Sequence, residues 1–330
     1  MKATSRKEQV VYPLIRIITF GEFAIERLVA ASQAVRYMRV PWEEWGNRKA
    51  AMTLLKVLLC SPGRRASREM LIRAIWPDHQ KINAAHALDS AAYVLRKHIL
   101  GTQAKEGLLS TPHDDGMSGL QLSAQSRLWV DADAFLSLAS QAVRLEAQGQ
   151  DPLPYLERAH TLAQGTFLEN DQHQPWSNAR RITIDGARHR VLYKLVEYYL
   201  QHQRENRAEE VLFDFLEEHP TDEDALYHLL RLLSHQERHQ EALNIYEYVI
   251  DILREERQEP TPQVQELVRH IQQGLAVRES HMDYMLPASS DSPATMQSTQ
   301  TQKAYPRKEK TTPSQEKVQV LHIMIERHTL

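Results

Sequence analysis

The pattern of apolar and polar positions changes character along the chain. From Leu14 to Ile25 the run LIRIITFGEFAIE is rich in Ile and Phe and broken by Gly21, as short β segments are. Val35 to Val40 is a second β-like piece. From Arg48 the spacing turns helical: Ala51, Leu54, Leu55, Leu58 and Leu59 share one face. SPGRR at 61–65 stops that helix. Ser67 is placed to cap the next, which carries Met70, Leu71, Ala74 and Ile75 and ends before Pro77. A third helix is predicted from about Asn83 to Leu100, closed by Gly101. The segment LLSTPHDDGMSGLQL (108–122) sets two short apolar pieces around a Pro/Asp/Gly turn, which is hairpin chemistry. Strands, three helices and a hairpin in this order predict a winged helix-turn-helix.

From Asp131 to about Val277 the pattern is almost entirely helical and contains a repeat. Ala208 and Ala242 stand 34 residues apart, and the same shift aligns Leu212 with Tyr246, Leu216 with Ile250 and Leu195 with Leu229. A 34-residue period, with a small residue early in the second helix of each unit, marks tetratricopeptide (TPR) architecture. Small Ala lets two helices approach closely, and the larger residue one turn on fills the groove. Pro220 ends one unit, with Thr221 expected to cap the next helix. Residues 280–317 are rich in Ser, Thr, Gln, Pro and Lys, a disordered composition, and VQVLHIMIERHTL (318–330) is apolar again.

The fold class expected is therefore mainly α: an N-terminal winged helix-turn-helix (α+β) followed by an all-α TPR-like domain. The divisions fall at 1–13 (flexible N-terminus), 14–128 (winged helix), 129–279 (helical domain) and 280–330 (disordered tail with a short apolar C-terminal segment).

Charge adds a direction to this picture. The net −3 divides into +8 over residues 1–130 and −11 over 131–330, so the first third is the part suited to a polyanion. No apolar run reaches the roughly 20 residues needed to span a bilayer. Met1 to Gln9 has no apolar core of a secretory signal. The single Cys60 cannot form an intrachain disulfide and reads as a buried structural thiol. A cytoplasmic protein without membrane contact is expected.

Catalytic and cofactor motifs are missing from the sequence. There is no GxxxxGK[ST] phosphate loop and no GxSxG nucleophile elbow. Among 16 histidines the nearest metal pattern is HQERH (His235 to His239), but Gln236 stands where a metalloprotease helix has Glu, and no third ligand is near in sequence. The expectation is no enzyme, no cofactor and no metal.

The third helix carries the candidate chemistry. At 100° per residue Leu88, Ala91, Ala92, Leu95 and Ile99 share an inward face, while Asn83, His86, Ser90, Tyr93 and Lys97 share the opposite one. Asn and His side chains can bond base edges in a major groove, and Lys reaches guanine or phosphate. Arg64, Arg65 and Arg68 cluster around the start of the second helix, with Arg48 and Lys49 at the start of the first. All five are candidates for phosphate contacts. Asp89, Asp114 and Asp115 oppose them in charge.

Taken together, IRIITFGEF…W…RKAAMTLLKVLLCSPGRRASREMLIRAIWP resembles the N-terminal, OmpR-like winged helix of SARP-type regulators (the Streptomyces antibiotic regulatory protein family). LDSAAYVLRKHIL is similar to their recognition helix and SGLQL to the end of their wing. WVDADAF, GTFLEN, PWSNARR, EALNIYEYVIDILREE and EPTPQVQEL follow in the order of their bacterial transcriptional activator domain (BTAD), so the likeness covers about 14–276. This chain departs at Asp89 and Val94, where Arg is usual, at Leu120, where an aromatic is usual, and in an insertion-like stretch, Leu28 to Glu44. The resemblance implies a sequence-specific transcription regulator, an activator that binds double-stranded DNA at promoter repeats as a homodimer and recruits RNA polymerase. The alternative, from another class, is a TPR-like protein-interaction scaffold whose winged helix no longer binds DNA.

Overall fold

The computed structural model describes residues 12–30, 35–45, 48–77, 81–100, 107–111 and 118–274. The wing-tip pair Asp114–Asp115 and the whole tail from 280, including 318–330, lie outside the described residues. By compactness the chain divides into two units, 1–194 and 195–330.

The first unit is built around two small sheets. Strands β1 (Ile15–Ile18), β2 (Ala24–Ala30), β3 (Val35–Arg39) and β7 (Leu128–Val130) form one sheet in the order β3-β2-β1-β7. Its β1–β2 and β2–β3 pairs are antiparallel and β1–β7 is parallel, with Ile17 opposite both Ile25 and Val130. Alternation along β1 buries Ile15 and Ile17 on the core face. On the other face the Arg16 guanidinium lies 3.7 Å from the centre of the Tyr37 ring, between it and Trp129. The stretch that reads as an insertion, Leu28 to Glu44, supplies the sheet's outer hairpin and a short helix α1 (Trp42–Trp45), so it is part of the sheet. Pro13, expected in a flexible N-terminus, accepts a hydrogen bond from Tyr37 Oη at 2.8 Å.

Next come the helices α2 (Lys49–Cys60), α3 (Arg68–Ile75) and α4 (Lys81–Val94). Every position of the α2 apolar face is buried, as its spacing predicts. Pro62–Arg64 turns the chain into strand β4 (Arg65–Ser67), and Ser67 Oγ caps α3 by accepting from the Met70 N–H at 3.2 Å. Of the apolar positions on α3, Leu71 is fully buried and Met70 is 42% exposed. The wing is the antiparallel pair β5 (Leu109–Ser110) and β6 (Gly119–Leu122), with β4 on the far side of β6. Gly119 is required there, because a Cβ would stand 2.6 Å from the Ala66 carbonyl oxygen.

The same unit continues through β7 into α5 (Asp131–Ala147), α6 (Leu153–Leu162) and the first part of α7 (Asn178–Gln201). Asp131, 2% exposed, opens α5 and accepts the backbone N–H groups of Thr19 and Phe20 and the Thr19 hydroxyl. Burial pushes its carboxyl pKa up, and those hydrogen bonds pull the other way. Phe20 meets Phe135 and Phe167 edge-on, at 5.7 and 6.2 Å between ring centres. Gly165 at φ +84° brings its backbone against Gly21, where a Cβ would stand 2.8 Å from the Gly21 Cα. These contacts join the start of the helical domain to the N-terminal sheet within one compact unit.

The second unit is the TPR-like array: the end of α7 from Leu195, then α8 (Glu205–Glu218), α9 (Glu223–His235), α10 (His239–Glu255) and α11 (Pro262–Gln272). Ala208 and Ala242 are both fully buried near the starts of α8 and α10, and α9 packs on α8, α10 and α11. The cap of α9 is Asp222, whose Oδ1 accepts the Ala225 N–H at 2.9 Å. The expectation of Thr221 is corrected by one residue: the carboxylate stands three positions before the N–H it caps, the reach an N-cap needs.

Candidate nucleic-acid interface

The described part of α4 has two faces. Ala84, Leu88, Ala91, Ala92 and Leu95 are buried against the rest of the winged helix. Asn83, His86, Ser90, Tyr93 and Lys97 are all exposed on the opposite side. The helix ends in a wider π-type turn over Leu95–Ile99, closed by the Leu100 N–H on the Leu95 carbonyl at 2.9 Å. Lys97 remains on the outer face, 5.5 Å from the centre of the Tyr93 ring, which is itself 57% exposed.

Asp89, the acidic residue of this face, is paired. Arg68 Nη1 lies 2.7 Å from its Oδ1, and that hydrogen bond holds the exposed Asp89 carboxyl below the usual carboxylate range. Arg68 also reaches toward the Ala85 carbonyl at 3.5 Å. It thus neutralises Asp89 from the start of α3 and is not an uncommitted cation.

One of the expected phosphate contacts needs correction. Arg64 is 7% exposed and turned inward. Its guanidinium donates to Asp133 Oδ2 (2.7 Å), to the carbonyls of Ser123 (2.9 Å) and Leu128 (2.7 Å), and to Gln125. Asp133 also accepts from Arg180. Its five donors are all met by acceptors within the protein, which leaves nothing for DNA. Lys49 is exposed and also lines a cavity beside the end of β3. Arg48 and Arg65 are half-buried; the Arg48 guanidinium donates to the Glu44 carbonyl, and Arg65 is also partnered.

Some contributors escape a reading of the sequence. Arg27 on β2 donates to the His98 carbonyl and pairs with Glu44 at 2.8 Å, so a strand residue braces the end of α4. Desolvation, then Arg48 and Lys97, lower the His98 pKa, which places Arg48 electrostatically beside the end of α4. Arg96 donates through Nε to the Leu109 carbonyl at 3.2 Å and ties α4 to the first wing strand. Only the charge of these residues is visible in the sequence; their direction is set by packing. The Cys60 thiol is pushed up to about 12 by burial, as suits a structural thiol. Among the described residues no group of three or more His, Cys, Asp or Glu is placed to hold a metal ion, and no helix is long and apolar enough to cross a membrane.

A helix-turn-helix with an exposed outer helix and a β wing, continuing into a helical repeat domain, defines the class of winged-helix regulators. Residues 130–272 match the family model of the bacterial transcriptional activator domain. Among solved structures, that of Mycobacterium tuberculosis EmbR in complex with a low-affinity phosphopeptide is similar. It is 17% identical, with a TM-score of 0.57 over 79% of this chain and 66% of that one, so the likeness is one of fold and the present chain spans a little under two thirds of EmbR's length. No curated protein matches the sequence. The resemblance to SARP-type transcription regulators is borne out: this chain carries a bacterial transcriptional activator domain behind a winged helix.

Proposed function

We propose that the protein is a sequence-specific DNA-binding regulator that lays α4 in the major groove and acts as an activator. The observation that carries this reading is the exposed stripe Asn83, His86, Ser90, Tyr93 and Lys97, with Asp89 neutralised from behind by Arg68. Asn83 and His86, in the N-terminal half of the helix, are the base-edge readers. Ser90 and Tyr93 contact the backbone or the groove wall, and Lys97 with Arg48 faces phosphate near the end of α4. Arg65 adds positive charge where the wing sheet meets α3, while Arg68 orients α4 through Asp89 and Ala85.

Binding to promoter repeats as a homodimer would follow the two-fold logic of such motifs, with the helical domain available for dimer and RNA polymerase contacts. The Arg68–Asp89 pair answers the part of the charge argument for a DNA-silent scaffold that rests on Asp89.

A gel-shift titration on the DNA upstream of the protein's own gene neighbourhood, at several salt concentrations, tests the proposal. Lys97→Ala should weaken binding uniformly and reduce the salt slope by about 1. The double change Asn83→Ala with His86→Ala should cost about 1–3 kcal/mol per lost base contact and erase preference for the specific site. No shift with the unaltered protein, or variants that bind as it does, overturns the assignment.

A further inference from the structure

We propose that the cavity between the residues leading into β2, the end of β3, α2 and Asn170 binds a small molecule: a singly charged anion with an apolar body. The cavity measures about 630 Å³ and lies wholly within the first unit. That is within the size range of small-molecule sites, roughly 300–1,000 Å³.

The walls have two characters. Phe23, Val40 and Met52 are each under 10% exposed yet border the cavity, giving it an apolar floor. Around that floor stand the cations Arg39, Lys49 and Lys56. Two of them are matched. Arg39 pairs with Glu22, itself on the cavity wall, at 2.6 Å, and Lys56 pairs with Asp171 at 2.5 Å while lying 4.7 Å from the centre of the Phe23 ring.

Lys49 has no ion-pair partner among the described residues. The site thus carries one uncompensated positive charge beside an apolar surface. This arrangement favours a monoanion over a neutral ligand, which would leave Lys49 unmatched, and over a polyanion, which would find the other two cations taken. The apolar floor sets the rest of the ligand: a ring or short alkyl body that displaces water from Phe23 and Met52.

The site is separate from the α4 face, so its test does not depend on DNA binding. The probe is 8-anilinonaphthalene-1-sulfonate, a monoanion with an aromatic body, titrated by fluorescence into the full chain. Decanoate, an anion with an apolar body, should displace it, and inorganic phosphate, which has none, should not. Lys49→Gln should weaken the probe about tenfold, the value of one charge-assisted hydrogen bond. Thr53→Trp, which fills the cavity from the α2 side, should abolish binding, whereas Arg36→Gln, an exposed charge on β3 outside the cavity lining, should leave it unchanged. Unaltered melting temperatures show that the variants are folded. Lys49→Gln alters only an exposed side chain and decides the question should Thr53→Trp fail to fold. Unchanged probe affinity in Lys49→Gln, or displacement by phosphate as effective as by decanoate, overturns the proposal.

Discussion

At the scale of single residues, Arg64 shows how position in the chain can mislead about role. It stands in a basic run directly before the second helix of a helix-turn-helix, where a phosphate contact is the natural expectation. Its neighbours in space are instead Asp133, Gln125 and the carbonyls of Ser123 and Leu128, about 60 to 70 positions later. A buried guanidinium whose donors are all met is costly to remove, because its acceptors, the buried Leu128 carbonyl and the part-buried Asp133 among them, lose their partner. Arg64→Leu is therefore expected to destabilise the protein by about 2–3 kcal/mol in a urea titration, with Arg180 still holding Asp133 and limiting the loss. A change under about 0.5 kcal/mol, normal for an exposed arginine, would return Arg64 to the surface set. Asp89 is the converse case: a residue of the wrong sign for DNA, made tolerable by Arg68.

At the scale of elements, the repeat is written in backbone geometry as well as in Ala208 and Ala242. Gln203 and Glu237, 34 positions apart, both adopt positive φ (56° and 60°) just after α7 and α9. The same closing bonds recur: Arg204 N–H to the Tyr199 carbonyl and Arg238 N–H to the Leu233 carbonyl, at 2.8 and 2.9 Å. This is a Schellman closure, which glycine usually provides. Neither residue is glycine, so the sequence carries no sign of the turn that tightens each helical pair. Each pays the left-handed cost of a side chain, and Gln203→Gly or Glu237→Gly is expected to stabilise the array by about 0.5–1 kcal/mol. Thermal melting of the single and double variants checks this. Additive gains fit the expectation, and a loss at both sites contradicts it.

At the scale of the whole chain, the family boundary and the compact boundary differ. The activator-domain family begins at residue 130, whereas the first compact unit runs to Lys194. β7 pairs in parallel with β1, Asp131 takes the Thr19 and Phe20 N–H groups, and Asp133 takes Arg64, so the winged helix draws part of its own support from beyond residue 128. A fragment ending at 128 is expected to lack a cooperative melt, because it removes most of β7, takes Asp133 from Arg64 and takes Asp131 from the Thr19 and Phe20 N–H groups. A fragment ending at 194 is expected to melt cooperatively. Circular dichroism melts of the two fragments decide; a well-folded 1–128 would show that these contacts are dispensable.

Periodicity determined much of this protein unaided. The buried face of α2, the Ser67 cap, the order of strands, helices and wing and the exposed stripe on α4 all follow from local rules, because each depends on residues within a turn or two of one another, and the 34-residue spacing shows itself as a repeat of such local patterns. The family resemblance added what those rules cannot state, the regulator class, through the order of its segments. Tertiary structure decided the rest. It turned Arg64 inward, gave Arg68 to Asp89 and Lys49 to a cavity, moved a helix cap from Thr221 to Asp222, and made Leu28 to Glu44 an integral sheet edge. Charge can be counted along a sequence, but whether a cation meets solvent, a carboxylate or a ligand depends on partners that only the fold brings within a few ångströms.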